Sequence, residues 1–265
     1  QRYWVTSYLE GNTVSHLNFG TSSAKTVTLS FYVKSSLTGT FSGGLVNSAF
    51  NRAYAFTYTI SSANTWERKT VTIPGDTSGT WLTTTGIGIS VSFDLGAATN
   101  RQQSAGAWTA SGSVAATGAS QVIATNGATW QITGIQFEVG SQATAFEHRS
   151  FAEELALCER YFYMTYPYGA TIGAASSSSF LGRFLDHTQS YGSIQVPNVN
   201  MRAAPTKVIY NTATGTTSQI RTDTQNVAAA ITGTGAKGGG WIYVNAVSVG
   251  TSVSVKAHLT MDAEL

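Results

Sequence analysis

Carboxylates and histidines are the side chains with which this chain could catalyse a reaction, and they are few and scattered. The sequence has 13 acidic residues and four histidines. A glycosidase needs two carboxylates roughly 5 to 10 Å apart, and the candidates are Glu138, Glu147 and Asp94, the last at the end of a predicted strand. The scattered pattern favours solvated or locally paired carboxylates, and a catalytic pair across two strands stays open as an alternative.

The histidines do not occur at a spacing typical of zinc ligands; they are His16, His148, His187 and His258. Asp186-His187 follows the serine run at 176–179 and could belong to a hydrolase triad. No strand-turn-helix nucleophile motif accompanies that run. We therefore expect no catalytic residues, no metal ligands and no cofactor.

Aromatic side chains give the chain its clearest binding chemistry, because sugar C–H faces stack on rings while sugar hydroxyls bond to amide and hydroxyl side chains. Trp130 keeps phase with core residues, whereas four other tryptophans lie at strand ends or in polar loops: Trp4, Trp66, Trp81 and Trp108. The second half offers the aromatic candidates Tyr191, Trp241 and Tyr243, with Asn198, Asn200, Asn211 and Gln219 as hydrogen-bonding side chains. Packing stays the alternative role for each ring.

The composition limits the classes of partner. Charged residues make up 11% of the 265 residues, against roughly 25% in average soluble domains. The formal net charge is +2, and the scattered lysines and arginines form no patch suited to a phosphate backbone. No stretch approaches the length of a membrane span. We expect neither nucleic-acid binding nor membrane insertion, and the single cysteine, Cys158, cannot form an intrachain disulfide.

Strict alternation of apolar residues predicts β-strands along the first half. Val27, Leu29, Phe31 and Val33 point one way along a half-buried strand, and the intervening polar residues point the other way. At Thr133-Gly134 the apolar phase slips by one residue, which predicts a β-bulge with a glycine. Six or more such strands with threonine-rich outer faces predict a jelly-roll-like sandwich over residues 1 to about 146.

One convincing helix follows this region. Ser150 and Glu153 fit a capping box, and Phe151, Leu155 and Cys158 follow at helical spacing. We expect the apolar stripe to pack on a sheet or on a neighbouring subunit, with Cys158 as a small buried side chain. Alternation then resumes to the end of the chain.

The predicted class is therefore all-β: two antiparallel β-sandwich (jelly-roll-like) domains joined by one short amphipathic helix. We place the first domain at residues 1–148, the connecting helix at 149–162 and the second β domain at 163–265.

Long stretches of this sequence resemble tail-fibre and receptor-binding proteins of bacteriophages and prophages. The resemblance lies in residues 26–41, 63–81 and 132–162, and in shorter stretches at 199–206 and 262–265. In that family a jelly-roll domain like a carbohydrate-binding module precedes a distal carboxyl-terminal β domain. Between about residues 212 and 240 the resemblance fades, and variable distal loops of this kind are where receptor specificity is expected.

The resemblance implies a homotrimer on the virion tail that attaches to the host, is extracellular after release, and binds a bacterial surface glycan and other tail proteins. It also implies strands that precede residue 1, so the first domain is expected to be truncated at its amino end or to be completed by sequence that precedes residue 1. Jelly-roll sugar modules often hold a structural calcium ion, which stays open here because no Asp-rich loop marks a place for it.

Three functional hypotheses follow. The first is a non-catalytic receptor-binding protein of a tail fibre, with its sugar stacked on exposed aromatic rings. The second is a purely architectural virion protein, such as a fibre shaft, head fibre or baseplate decoration. The third is a polysaccharide depolymerase or esterase. Exposed aromatic rings would favour the receptor-binding protein, and a fully buried set of aromatic residues would favour the architectural protein. Converging carboxylates would favour the enzyme.

Overall fold

The computed structural model describes residues 1–167, 169–178, 180–185, 191–223, 225–232, 240–245 and 253–264, and a few strand side chains of the second half are outside this description. The chain forms two compact units, Gln1–His148 and Arg149–Glu264. Nearly all regular structure is antiparallel strand, so the all-β prediction is confirmed. No helix in the described part of the chain has the length and apolarity that crossing a bilayer requires.

The first unit contains ten strands, one helical turn and three short 3-10 helices. The strands are β1 (Arg2–Glu10), β2 (Val27–Ser35), β3 (Gly39–Val46), β4 (Ala53–Ile60), β5 (Glu67–Ile73), β6 (Ile87–Ala97), β7 (Gln102–Gln103), β8 (Trp108–Thr109), β9 (Ala115–Ala116) and β10 (Trp130–Val139). The helical turn is α1 (Gly11–Val14), and the 3-10 helices are Ser15–Leu17, Thr99–Arg101 and Val122–Ala124.

Two antiparallel sheets enclose the core of this unit. One has the strand order β1-β6-β3-β4-β8 and the other β10-β2-β5, while β7 and β9 form a separate parallel pair. Phe31 on β2 lies between the sheets, with its ring 5.1 Å from Tyr58 and 5.0 Å from Phe93 on the facing sheet. Val27, Leu29, Phe31 and Val33 are fully buried, as their alternation predicts.

The predicted bulge on β10 is confirmed. Thr133 pairs with Tyr32 and Gln136 with Ser30, so Gly134 and Ile135 together face the single residue between them on β2. Gly134 has a φ of +57°, a left-handed conformation that costs glycine little. The one-residue shift in the apolar pattern at Thr133-Gly134 therefore marks an extra residue in β10.

The prediction of a half-buried β2 is wrong at its amino-terminal end. Thr28 and Ser30 point away from the core yet are 0% and 2% exposed. The chain that leaves β10 lies along this outer face, where the Thr28 hydroxyl donates to the Gly140 carbonyl at 2.7 Å and the Thr72 hydroxyl to the Ser141 carbonyl at 3.2 Å. A single strand's pattern carries no information about a segment that packs over it from 112 residues further along the chain.

Among the described residues of the second unit there are one helix and eight strands. They are α2 (Phe151–Glu159), β11 (Phe162–Met164), β12 (Leu181–Leu185), β13 (Tyr191–Val196), β14 (Thr206–Asn211), β15 (Gln219–Thr222), β16 (Asn226–Thr232), β17 (Gly240–Asn245) and β18 (Val253–Asp262).

Strand β18 organises this second unit. It pairs with β11, β12, β14 and β15, and the sheet continues from β15 through β16 and β17 to β13. Ile220, Ile242, Leu259 and Met261 are fully buried in its core. A ten-residue strand supplies enough ladder positions for two shorter strands on each of its edges.

Helix α2 begins where the capping box predicts. The Ser150 amide donates to Glu153 Oε2 at 2.8 Å, and the Glu153 amide donates to the Ser150 hydroxyl at 3.3 Å. Within this chain Cys158 is exposed and Leu157 is 46% exposed, so burial of Cys158 against a sheet of its own chain is wrong, whereas packing on a neighbouring subunit stays a prediction. Helical spacing places apolar side chains on the helix surface, but it cannot tell whether another element covers them.

Candidate functional site

A groove lies on the outer face of strands β1 and β6 and has a volume of about 300 Å³. Antiparallel pairing puts alternate residues of the two strands side by side there, with Thr6 opposite Ser92 and Tyr8 opposite Ser90. The turn between β3 and β4 adds one further side chain. The groove is lined by Arg2, Trp4, Thr6, Tyr8, Phe50, Ser90 and Ser92.

Two residues that line the groove carry buried polar atoms that the described chain does not pair. Ser90 is 1% exposed, and neither its hydroxyl nor the buried Trp4 Nε1 has a hydrogen-bond partner among the described residues. Beside them the Thr6 and Ser92 hydroxyls bond to each other at 2.9 Å. A buried polar group without a partner costs about 1 to 3 kcal/mol, so the groove favours a ligand that supplies hydrogen bonds.

The walls of the groove are aromatic. Tyr8 is 41% and Phe50 45% exposed. The Trp4 indole packs on the buried side chains of Val46, Ala53 and Val114. Rings that are fixed on one side and open on the other can stack on an apolar ligand face.

The turn that carries Phe50 is held rigidly, although Phe50 has a left-handed φ of +52°. The buried Asn47 side chain accepts hydrogen bonds from the amides of Asn51 and Arg52 at 3.0 and 3.1 Å. Arg52 then makes a two-point contact with the carboxylate of Asp76, at 2.7 and 2.5 Å, which raises the pKa of the guanidinium. A strained, over-determined residue of this kind is common at ligand sites.

Asp94 lies beside Trp4 in the strand register but is 1% exposed and does not line the groove. Its carboxylate accepts hydrogen bonds from the Ser42 hydroxyl at 3.1 Å and the Gly96 amide at 2.9 Å. Desolvation by burial raises the pKa of this carboxyl, and the two hydrogen bonds only partly oppose that effect. It is a buried structural group rather than one that reaches a ligand.

Trp81 and Trp108, two other sequence candidates, belong to a different group of rings, which we call the aromatic cluster: Phe19, Tyr54, Trp81 and Trp108. Trp108 pairs with Tyr54 across β8 and β4, on the core face of the sheet. The two indoles lie 5.4 Å apart, edge to face, and both touch Phe19. Their N–H groups donate to the carbonyls of Ser78 and Pro74.

Trp66 and Trp130 lie outside both groups. Trp66 is 45% exposed just before β5, with the Lys34 ammonium 5.3 Å from its ring centre. Trp130 packs against the core, 5.7 Å from Phe93, and donates its N–H to the Tyr58 hydroxyl at 3.1 Å. The core placement predicted for Trp130 is confirmed.

The distal candidates are only partly described. Register places Tyr191 opposite Asn245, Tyr243 opposite Ser193 and Trp241 opposite Gln195, while the side chains of Tyr191, Trp241 and Tyr243 lie outside the described part of the structure. Of the candidate amides, Asn198 and Asn200 are exposed and Gln219 is half-buried. Asn211 is fully buried and bonds to the Ile220 carbonyl and the Ala213 amide.

Of the remaining carboxylates considered for catalysis, Glu147 is exposed and Glu138 is locally engaged. Both oxygens of Glu138 accept hydrogen bonds from Thr144, and these bonds lower the pKa of that carboxyl. Asp186 and His187 lie outside the described residues. In the part of the chain that is described, no three His, Cys, Asp or Glu side chains are placed to hold a metal ion.

His258 is a buried titratable group in the described part of the second unit. It is fully buried, stacks on Tyr166 at 4.0 Å, and has Nε2 2.9 Å from the Ser176 carbonyl and Nδ1 3.3 Å from the Thr165 hydroxyl. Burial lowers the pKa of this imidazole. The geometry assigns the proton to Nε2, because a carbonyl only accepts, and gives His258 a structural role.

Sequence reasoning found Trp4 but missed the other six residues of the groove. Alternation along β1 carries a usable signal, because Arg2, Trp4, Thr6 and Tyr8 occupy every second position of one strand. Phe50 has no such signal, since a turn between two other strands brings it to the groove.

No protein-family model matches this chain, and no curated protein matches it.

Proposed function

We propose that this chain is part of a bacteriophage tail fibre and recognises a bacterial surface glycan, without catalysis, in the groove over β1 and β6. The observation that carries the proposal is the joint presence of open aromatic rings and unpaired buried donors, Trp4 Nε1 and the Ser90 hydroxyl, in one groove. Saccharides are the ligand class that needs both, because each sugar ring has an apolar C–H face and a rim of hydroxyls.

Size and polarity support a sugar over other small ligands. About 300 Å³ lies at the lower end of ligand pockets, which suits a short saccharide. The lining residues alternate between rings and hydroxyl groups and include one cation. A purely apolar ligand would leave the Ser90 hydroxyl and the Trp4 N–H unpaired.

Host attachment on a virion is the setting implied by the resemblance of residues 26–41, 63–81 and 132–162 to tail-fibre proteins. Such a fibre would be a homotrimer bound to other tail proteins. Weak binding at each groove would then be strengthened by avidity, which multiplies apparent affinity about 100-fold or more without any new contact.

The test compares two tryptophans by binding the purified chain to extracted bacterial surface polysaccharides. We expect Trp4→Ala to weaken binding at least about tenfold, equivalent to about 1.4 kcal/mol, because the groove loses one of its lining rings and the Arg2 guanidinium loses the ring that supports it. Trp66→Ala is the matched control, since Trp66 is equally aromatic, is exposed, and lies outside the groove. Its binding should equal that of the wild type.

Tyr8→Ala tests whether misfolding explains the loss of binding. Because Tyr8 is 41% exposed, its removal should leave the thermal unfolding temperature unchanged, and it should still weaken polysaccharide binding. Equal binding by wild type, Trp4→Ala and Tyr8→Ala would remove the groove from the proposal. Failure of the assembled wild-type oligomer to bind any host polysaccharide would favour a purely architectural virion protein.

A further inference from the structure

Arg2 is the charged residue of the groove and stands at its amino-terminal end on β1. Its guanidinium lies 5.1 Å from the centre of the Trp4 ring, stacked by a cation–π contact. The Arg2 side chain is exposed and belongs to none of the ion pairs formed among the described residues. This contact holds the guanidinium beside the ring while leaving its N–H donors available.

The groove offers no carboxylate to balance that charge. Its other lining residues are neutral, and the acidic residues on the same two strands, Glu10 and Asp94, are each 1% exposed. Asp94 is further withdrawn by its hydrogen bonds to Ser42 and Gly96. A ligand in the groove therefore meets one accessible positive charge beside aromatic rings and hydroxyls.

We infer that the groove selects an acidic saccharide and that Arg2 binds the carboxylate of a uronic or sialic acid residue. This inference rests on the proposed function, because it names the class of glycan bound at the same site. A guanidinium matches a carboxylate with two parallel N–H donors. The sugar ring would stack on the exposed rings of Tyr8 or Phe50 beside the Arg2–Trp4 pair, and its hydroxyls would reach the Ser90 hydroxyl.

The experiment uses polygalacturonate, hyaluronate and polysialate, each paired with its carboxyl-reduced form, which keeps the sugar backbone and removes the charge. We expect the full chain to bind at least one acidic polymer about tenfold or more tighter than its reduced partner. Arg2→Ala should abolish that difference while retaining the weaker binding of the reduced form. Arg2→Lys should restore only part of it, because an ammonium is a point charge without the planar pair of donors.

Arg101→Ala is the matched control for charge, since Arg101 is an exposed arginine that does not line the groove. It changes net charge as Arg2→Ala does and should leave the preference intact. Loss of the preference in Arg101→Ala would reduce the effect to general attraction and overturn the inference. A teichoic acid, whose charge is carried by phosphate groups, is tested alongside the acidic polysaccharides. Binding to teichoic acid alone would overturn the inference that Arg2 binds a carboxylate.

The two proposals fail differently. Equal affinity for the acidic polymers and their reduced forms overturns the acidic preference and leaves glycan binding in place. Binding to neutral host polysaccharides alone does the same. Binding to no polysaccharide in either panel overturns the inference and the proposed function together.

Discussion

The groove and the aromatic cluster are two groups of aromatic residues in the first unit, and they differ in whether their polar atoms have hydrogen-bond partners. In the cluster, the indole N–H groups of Trp81 and Trp108 both donate to backbone carbonyls, and each ring edge meets another ring. In the groove, Trp4 Nε1 and the Ser90 hydroxyl are buried with no partner in the described chain. The polar atoms of the cluster are paired within the chain, whereas two buried polar atoms of the groove are not paired within the described chain.

The comparison shows that the face of the sheet on which a tryptophan lies determines whether it packs in the core. Trp108 pairs with Tyr54 on the core face, while Trp4 pairs with Asp94 on the outer face. Both residues stand at or near strand ends in a polar sequence context. Substitutions in the cluster should therefore lower stability and leave glycan binding unchanged. Substitutions in the groove should weaken glycan binding without lowering stability.

The largest effect should come from Trp108→Ala. Removing this ring leaves a cavity between Phe19, Tyr54 and Trp81 and an unpaired Pro74 carbonyl. We expect the free energy of unfolding of the first unit to fall by about 3 kcal/mol, measured by denaturant unfolding followed by circular dichroism. Molecules that remain folded should bind glycan as the wild type does. An unchanged unfolding midpoint would show that the cluster is not part of the core.

A smaller effect of opposite sign should come from Asp94→Asn. The amide keeps both hydrogen bonds, accepting from the Gly96 amide and donating to the Ser42 hydroxyl, but carries no charge to desolvate. We expect unfolding at pH 7 to become harder by on the order of 1 kcal/mol, the usual size of a single-site effect.

The pH dependence of the Asp94 effect follows from the raised pKa of its carboxyl. The folded protein holds this proton to higher pH than the unfolded chain, so wild-type stability falls as pH rises from the ordinary aspartate value of 3.8 through the raised pKa. The advantage of the asparagine variant should vanish below about pH 3.8. An advantage that is constant with pH would show that the carboxyl titrates normally.

A gain of at most about 1 kcal/mol in stability should come from Ser90→Ala in the groove. The buried hydroxyl has no partner in the described chain, so its removal takes away an unpaired buried polar group and should not lower the free energy of unfolding. Glycan affinity should fall about threefold to tenfold, the value of one hydrogen bond, as measured by titration calorimetry.

Ser7→Ala controls for the Ser90 substitution, since Ser7 lies on the other face of the neighbouring strand, opposite Val91. It should alter neither stability nor affinity. A large loss of stability in Ser90→Ala would mean that its hydroxyl serves the fold, and the groove would then resemble the cluster.

Local chemistry was predictable wherever neighbouring residues settle it. The alternation of Val27 to Val33 predicted a strand, the phase slip at Gly134 predicted the bulge, and Ser150 with Glu153 predicted the start of the helix. Burial was predicted less well, because it depends on distant segments. Thr28 is covered by the chain after β10, and Cys158 is exposed despite its helical spacing.

The sequence by itself determined the all-β class, the strand and helix positions just named, and the supply of rings and hydroxyls suited to sugar binding. Only the tertiary structure decided which of those rings share a site, because β1 and β6 pair across some 80 residues and a separate turn delivers Phe50. Side-chain type is written in the chain, whereas sheet order and register decide which face each side chain occupies and what stands beside it.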